Sequence, residues 1–105
     1  MENNYNNREE MVEEYIKKGE YEKAFKALVL MIELINIKII KNRIDNKFKS
    51  DNFYEIMEIY RKKDEELYKI IKNINYIYEM YSNNKMNNDS IIELKDLYNQ
   101  LKLKQ

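Results

Sequence analysis

Apolar residues recur at alternating steps of three and four between positions 53 and 81 of this chain. Such spacing is typical of the seam along which a long amphipathic helix packs against another helix. The pattern therefore predicts a single helix of about thirty residues, from about residue 53 to residue 82. Lys63 occupies the one position of the seam that is not apolar. The seam residues are Phe53, Ile56, Tyr60, Leu67, Ile70, Ile74, Ile77 and Tyr81.

Two helices are predicted before this seam, on either side of the only glycine of the chain. The first begins near Asn7, a good N-cap residue, and ends where two lysines precede Gly19. The second runs from about residue 20 to residue 47 and is apolar on nearly every face between Ala27 and Ile40. A helix of that composition is expected at the centre of a bundle, covered by several neighbours.

Polar breaks frame the remaining helices. Asn52, with Glu55 three residues later, resembles a capping box that opens the seam helix, and Ser90 with Glu93 opens the last one. We therefore predict an all-α fold, a compact bundle of four helices built on a long antiparallel hairpin of helices two and three. The 105 residues are expected to form one domain with a disordered tail over residues 1–6.

The composition excludes most catalytic chemistry. The chain has no histidine, no cysteine and one glycine, so it cannot build a histidine-based triad, a thiol nucleophile, a His or Cys zinc site or a glycine-rich phosphate loop. Carboxylates cluster at Glu9–Glu14 and at Asp64–Glu66, where a solvated face is the simpler interpretation and a carboxylate active site the alternative. We expect no catalytic residue, no cofactor and no metal.

Nineteen basic and nineteen acidic residues cancel, so any attraction to an anionic partner must come from a local patch. Bases concentrate toward the end of the second helix, with asparagines between them. This cluster is a candidate contact for nucleic acid or phosphate. The alternative is that cations gather there because they interact favourably with the helix dipole. The residues are Lys38, Lys41, Arg43, Lys47 and Lys49.

Two charged residues stand in apolar surroundings. Glu33 lies within the apolar centre of the second helix, and Lys63 interrupts the seam. An unpaired buried charge is costly, so antiparallel packing of the two helices predicts a buried polar pair that sets their register. A pair that faces a ligand is one alternative. The other is a lysine that extends to solvent along its aliphatic stem.

A stretch of about thirty residues resembles the opening helices of HEPN-family domains, which are helical bundles. The shared features are a Gly-Glu-Tyr-x-x-Ala turn followed by a long apolar helix that contains a glutamate and a nearby lysine. They correspond to Gly19, Tyr21, Ala24, Glu33 and Lys38. The resemblance implies a dimeric bundle with RNA or nucleotide as partner. The family's nuclease motif pairs an arginine with a histidine, and the absence of histidine leaves only binding or scaffolding.

The longest apolar run, Ala27 to Ile32, is six residues, against the roughly twenty that a membrane-spanning helix requires. We therefore expect a cytoplasmic protein without membrane contact. The last helix is too short to cover the seam helix, so the seam is also the predicted face of a homodimer. The predicted function is that of a small non-catalytic interaction or regulatory protein. HEPN-like nucleic-acid binding is the first alternative, and bacteriocin immunity proteins, similar in size and predicted architecture, suggest the second.

Overall fold

The computed structural model describes residues 4–85 and 87–105, with side chains from Arg8 onward. These residues form five α-helices, and the predicted all-α fold class is confirmed. The described chain measures 39 × 39 × 20 Å, which corresponds to two layers of packed helices. The helices are α1 (Asn4–Lys17), α2 (Tyr21–Arg43), α3 (Phe53–Lys63), α4 (Glu65–Ser82) and α5 (Asn88–Lys102).

The turn between α1 and α2 forms where the sequence predicts it. Gly19 has a φ of 75°, a left-handed conformation that residues with a Cβ adopt at a cost. Its N–H donates to the carbonyl of Ile16 at 3.1 Å, and the N–H of Glu20 donates to the carbonyl of Tyr15 at 2.8 Å. This pair of bonds satisfies the last carbonyls of α1. At its other end α1 begins at Asn4, so the predicted tail is helical over residues 4–6 and otherwise lies outside the described residues.

The predicted helix over residues 53–82 is wrong, because the chain breaks at Asp64. This residue has an extended backbone (φ −156°, ψ 104°). Its N–H donates to the carbonyl of Tyr60 at 2.8 Å, which is the last hydrogen bond of α3. Its carboxylate then caps α4 by accepting from the N–H of Leu67 at 3.0 Å. Three bases precede Asp64 and two acids follow it, so each helix end carries the charge that its dipole favours.

After the break α4 runs antiparallel to α3 and to α2. Phe53 at the start of α3 packs its ring 4.9 Å from that of Tyr78, near the end of α4. Near the start of α2, Phe25 stacks on Tyr81 with ring centroids 4.0 Å apart. At the other end of α2, Arg43 reaches Asp64 at the start of α4. A bent pair of helices therefore replaces the predicted long hairpin.

The helix α3 runs in the same direction as α2. Its early residues Phe53 and Ile56 line a small cavity with Val29, and its later residue Tyr60 bonds to Asn36. The loop over residues 44–52 makes this possible by returning along α2, and Phe48 anchors it in the core with 6% of its surface exposed. The helix α2 accordingly ends at Arg43, four residues before the predicted end.

The remaining helix, α5, packs against α2 and α4. It begins at Asn88 with Asn87 as its N-cap, one turn before the predicted cap at Ser90, whose N–H donates to the side chain of Asn87 at 2.9 Å. Asn52 caps α3 as predicted, accepting from the N–H groups of Tyr54 and Glu55.

Folding back at Asp64 buries the seam within the chain itself. Phe53 and Tyr81 are half-buried, and the other six seam residues belong to the hydrophobic core. This face was predicted to receive a second subunit because the last helix alone is too short to cover it. The bend supplies the missing cover, because α3 lies on α4 rather than extending it. The six core residues are Ile56, Tyr60, Leu67, Ile70, Ile74 and Ile77.

One polar contact is enclosed by this core. The hydroxyl of Tyr60 donates to Oδ1 of Asn36 at 2.9 Å, and both residues are fully buried. Nδ2 of Asn36 has no hydrogen-bond partner among the described residues. The contact ties α2 to α3 one turn from Lys63, near the place where a buried polar pair was predicted, but between different residues.

We expect Tyr60→Phe to lower the free energy of unfolding by about 1–3 kcal/mol, because it leaves the buried Asn36 amide without a partner. The double variant Asn36→Leu/Tyr60→Phe should recover most of this loss, since it removes both polar groups together. Urea unfolding of the single and double variants provides the measurement. Additive losses in the double variant would show that the hydrogen bond is not what couples the two positions.

Because of the same tyrosine, we expect the free energy of unfolding to fall at alkaline pH. Burial raises the pKa of the Tyr60 hydroxyl, with opposing smaller effects of Arg43, which lowers it, and Asp64, which raises it. The ordinary pKa is 10.0. Above that pH the unfolded chain loses the proton and the folded chain keeps it, so the free energy of unfolding falls as pH rises. We expect a larger loss between about pH 9 and about pH 11 in the wild type than in Tyr60→Phe, measured by urea unfolding.

Candidate interaction surface on the second helix

The five bases of the predicted phosphate contact are all exposed but do not converge on one point. Lys41 and Arg43 line an open depression at the end of α2, together with the acidic Asp45. The carboxylate of Asp45 accepts from the N–H of Lys47 at 3.0 Å, which places a negative charge among the bases. Lys38, Lys47 and Lys49 lie outside the lining of the depression. The cluster is therefore a mixed surface.

Arg43 is engaged in holding the bundle together. Its guanidinium donates from Nη2 to Oδ2 of Asp64 and from Nη1 to the carbonyl of Lys104, both at 3.1 Å. The ammonium of Lys104 in turn contacts the carboxylate of Glu66 at 2.5 Å. These contacts join the end of α2, the α3–α4 connection and the segment after α5. We call this group, Arg43, Asp64, Glu66 and Lys104, the terminal clasp.

The predicted pair of Glu33 and Lys63 does not form. Lys63 is exposed at the end of α3, and Glu33 is half-buried on α2. Within residues 4–85 and 87–105 no ion pair joins the two. Glu33 instead borders a cavity of about 60 Å³ with Tyr78. Burial raises the pKa of the Tyr78 hydroxyl, and the negative charge of Glu33 raises it further.

The carboxylate clusters are largely used in structural contacts. In α1, Glu9 pairs with Lys102 at 2.6 Å and Glu13 with Lys95 at 2.5 Å, which fastens α1 to α5. In the second cluster, Asp64 caps α4 and Glu66 belongs to the terminal clasp. Over the part of the chain that is described, no group of three or more His, Cys, Asp or Glu side chains is arranged to hold a metal ion.

The outer face of α2 is not covered, contrary to the expectation of neighbours on every side. Leu30 is 44% exposed and Leu34 is 37% exposed, although both lie in the middle of the helix. Ala27 and Ile37 continue this line at heptad spacing and are partly buried against the core. We call these four residues, Ala27, Leu30, Leu34 and Ile37, the outer seam. The helix therefore has a second apolar stripe besides its core-facing side.

Lysines stand at both ends of the outer seam. Lys23 and Lys26 precede its midpoint, and Lys38 and Lys41 follow it, with all four residues exposed. Lys23 lies 3.6 Å from Glu20 and Lys26 3.4 Å from Glu22, in pairs open to solvent. Such exposed pairs contribute roughly 0–1 kcal/mol, so these lysines can exchange their partners at little cost. The surface is thus apolar along its centre, with oppositely charged pairs at its first end and two lysines at its second end.

Other exposed apolar side chains are more scattered. Tyr54, Tyr76, Ile92 and Leu103 lie on α3, α4, α5 and the segment after α5. Isolated residues of this kind are normal on protein surfaces. Met11, 48% exposed, lies on α1, which pairs with α2 through the turn at Gly19. Two exposed leucines one turn apart are a different situation, because they form a continuous apolar stripe on one helix.

Sequence reasoning missed this surface, because the apolar centre of α2 was interpreted as wholly internal. The signal was present as a heptad repeat at positions 27, 30, 34 and 37, bounded by lysines at 23 and 41. Comparisons with family models, curated proteins and solved structures find no match to this chain. Across the described helices, none has both the length and the apolar content needed to span a membrane.

Arg43 was predicted as a phosphate contact, and the structure places it in the terminal clasp. Only the second role predicts that its substitution lowers the stability of the fold. We expect Arg43→Ala to lower the free energy of unfolding by about 1–2 kcal/mol, because it removes two charge-assisted hydrogen bonds of the terminal clasp. The matched control Lys41→Ala, two residues earlier, should change it by less than about 0.5 kcal/mol. Chemical denaturation of both variants measures the difference. Equal stabilities would mean that the clasp does not contribute.

Proposed function

We propose that this chain is a non-catalytic interaction protein that binds another protein along the outer seam of α2. The observation that carries the proposal is the exposure of Leu30 and Leu34 in the middle of the central helix. Burying apolar surface stabilises a complex by roughly 25 cal/mol per Å². A heptad stripe of this kind is the usual means by which one helix recognises another.

A heterologous partner suits this surface better than a second copy of the chain. The seam over residues 53–81, on which the predicted homodimer was based, is occupied by the chain itself. This burial removes the reason for a homodimer through that seam, so we favour a partner of different sequence.

The HEPN-like alternative remains a weaker proposal. It would use the basic end of α2 to bind RNA or nucleotide, and Lys41, Lys47 and Lys49 are exposed there. Arg43, however, is engaged in the terminal clasp, and Asp45 places a negative charge in the middle of the cluster. A phosphate backbone would therefore meet fewer available cations than the sequence suggests.

Site-specific photocrosslinking in the cells that produce the protein tests the leading proposal. A benzophenone amino acid replaces Leu34 in one sample and, as matched control, Ile92 of α5, which is 51% exposed. We expect position 34, and not position 92, to form one discrete adduct with a different protein, identified by mass spectrometry. An adduct of twice the 13.0 kDa chain mass would point to a second copy, and adducts from position 92 alone would contradict the assigned surface.

A further inference from the structure

We infer that the cavity beside Glu33 binds the ammonium group of a primary alkylamine. This inference goes beyond the proposed function, because no residue of the outer seam lines the cavity. The cavity has a volume of about 60 Å³ and lies where α2, α3, α4 and the segment before α3 meet. We call it the Glu33 cavity. The lining residues are Val29, Glu33, Asp51, Phe53, Ile56 and Tyr78.

The carboxylate of Glu33 has no partner within the described part of the chain. It is half-buried, and neither a hydrogen bond nor an ion pair joins it to another side chain there. The hydroxyl of Tyr78, in the same lining, also makes no hydrogen bond to the described residues. Burial of a charge is costly unless a counter-charge or a hydrogen bond compensates it. A cation that donates N–H groups would supply both, because the carboxylate and the hydroxyl oxygen can each accept.

The other polar and aromatic lining residues favour a positive charge. Asp51 adds a second carboxylate, and its exposure places it at the mouth of the cavity. None of the lining residues is basic, and Lys49, two residues before Asp51, forms no ion pair among the residues that the structure describes. The rings of Phe53 and Tyr78 lie with centroids 4.9 Å apart, and a cation within about 6 Å of such a ring is attracted by its π electrons. The cavity is therefore suited to a cation.

The size and the lining of the cavity favour an organic cation over a metal ion. Ca²⁺ and Mg²⁺ take about six or more oxygen ligands, whereas this lining offers two carboxylates and one hydroxyl. One water needs roughly 10–15 Å³, so a cavity of about 60 Å³ holds about four groups of that size, such as the nitrogen and first three carbons of an alkylamine. Val29 and Ile56 provide apolar surface for those carbons. A tetramethylammonium ion is bulkier and has no N–H to donate, so a primary amine fits better.

Nuclear magnetic resonance of the full chain, with ¹³C in the phenylalanine rings, tests the inference. The chain has three phenylalanines. Phe53 lines the cavity and reports binding, whereas Phe48 is buried outside the lining and serves as the internal reference. The probes are n-butylammonium chloride, 1-butanol as its uncharged counterpart, tetramethylammonium chloride as the bulkier cation, and potassium chloride as the control for ionic strength.

We expect n-butylammonium to shift the Phe53 signals in a saturable manner and to leave those of Phe48 unchanged. The other three probes should bind at least about tenfold more weakly, since none of them both carries a positive charge and donates N–H groups. Glu33→Gln, which keeps the shape of the side chain and removes its charge, should weaken the binding of n-butylammonium at least about tenfold. The matched control Glu55→Gln, at an exposed position in the first turn of α3, should bind as the wild type does.

Three results would overturn the inference. Equal binding of 1-butanol, or wild-type affinity in Glu33→Gln, would show that the cavity binds the alkyl chain and not the ammonium group. Equal binding of tetramethylammonium would show that N–H donation plays no part. No saturation of the Phe53 shift below roughly 50 mM n-butylammonium would show that the cavity holds only water.

Two further measurements identify the source of the amine and its relation to the proposed function. Acetyl-Gly-Lys-Gly-amide presents a lysine side chain, so affinity equal to that of n-butylammonium would support the inference with a protein lysine as the ligand. Binding of the free amine alone would support it with a small molecule. The variant Leu30→Ser/Leu34→Ser should retain wild-type affinity for n-butylammonium, because the outer seam does not line the cavity. A loss of affinity in that variant would contradict a separate site, whereas the photocrosslinking tests the outer seam alone.

Discussion

The architecture depends on the conformation of one residue, Asp64. Its extended backbone ends α3, its carboxylate opens α4, and the same carboxylate receives the guanidinium of Arg43 from the end of α2. Because α3 then lies back on α4, the apolar residues of both helices face one shared core. A continuous helix would instead carry the apolar residues of α3 away from α2. The conformation of Asp64 thus allows a single chain of 105 residues to enclose its own core.

Much of the fold could be predicted from local patterns. The turn at Gly19 and the cap at Asn52 are determined by the residues at those positions, and the heptad spacing correctly selected core positions from Ile56 to Ile77. The break at Asp64 could not be predicted from periodicity, because the apolar spacing resumes in register after the single interruption at Lys63. The order of charges does indicate it: bases before Asp64 and acids after it suit the end of one helix and the start of another.

The candidate site was harder to predict, for a reason that lies in α2. Its core-facing stripe and its outer seam have the same heptad spacing and similar apolar composition. Which stripe is buried depends on where the other four helices lie, and this is a property of the tertiary packing. The basic cluster was located correctly in sequence, but the engagement of Arg43 with Asp64 and Lys104 joins residues 21 and 61 positions apart. No local pattern reveals contacts of that range.

The single-residue connection at Asp64 also determines how this bundle could associate through its core. If Asp64 became helical, α3 and α4 would join into one rod and α3 would leave its place beside α2. The vacated place would be complementary in shape to an α3 from another chain, which is the condition for exchange of an identical element between protomers. The apolar spacing from Phe53 to Tyr81, interrupted only at Lys63, is compatible with such a rod. The capping contacts of Asp64 thus favour a bundle in which each chain completes its own core. Without them, two chains could exchange α3 and complete each other's cores.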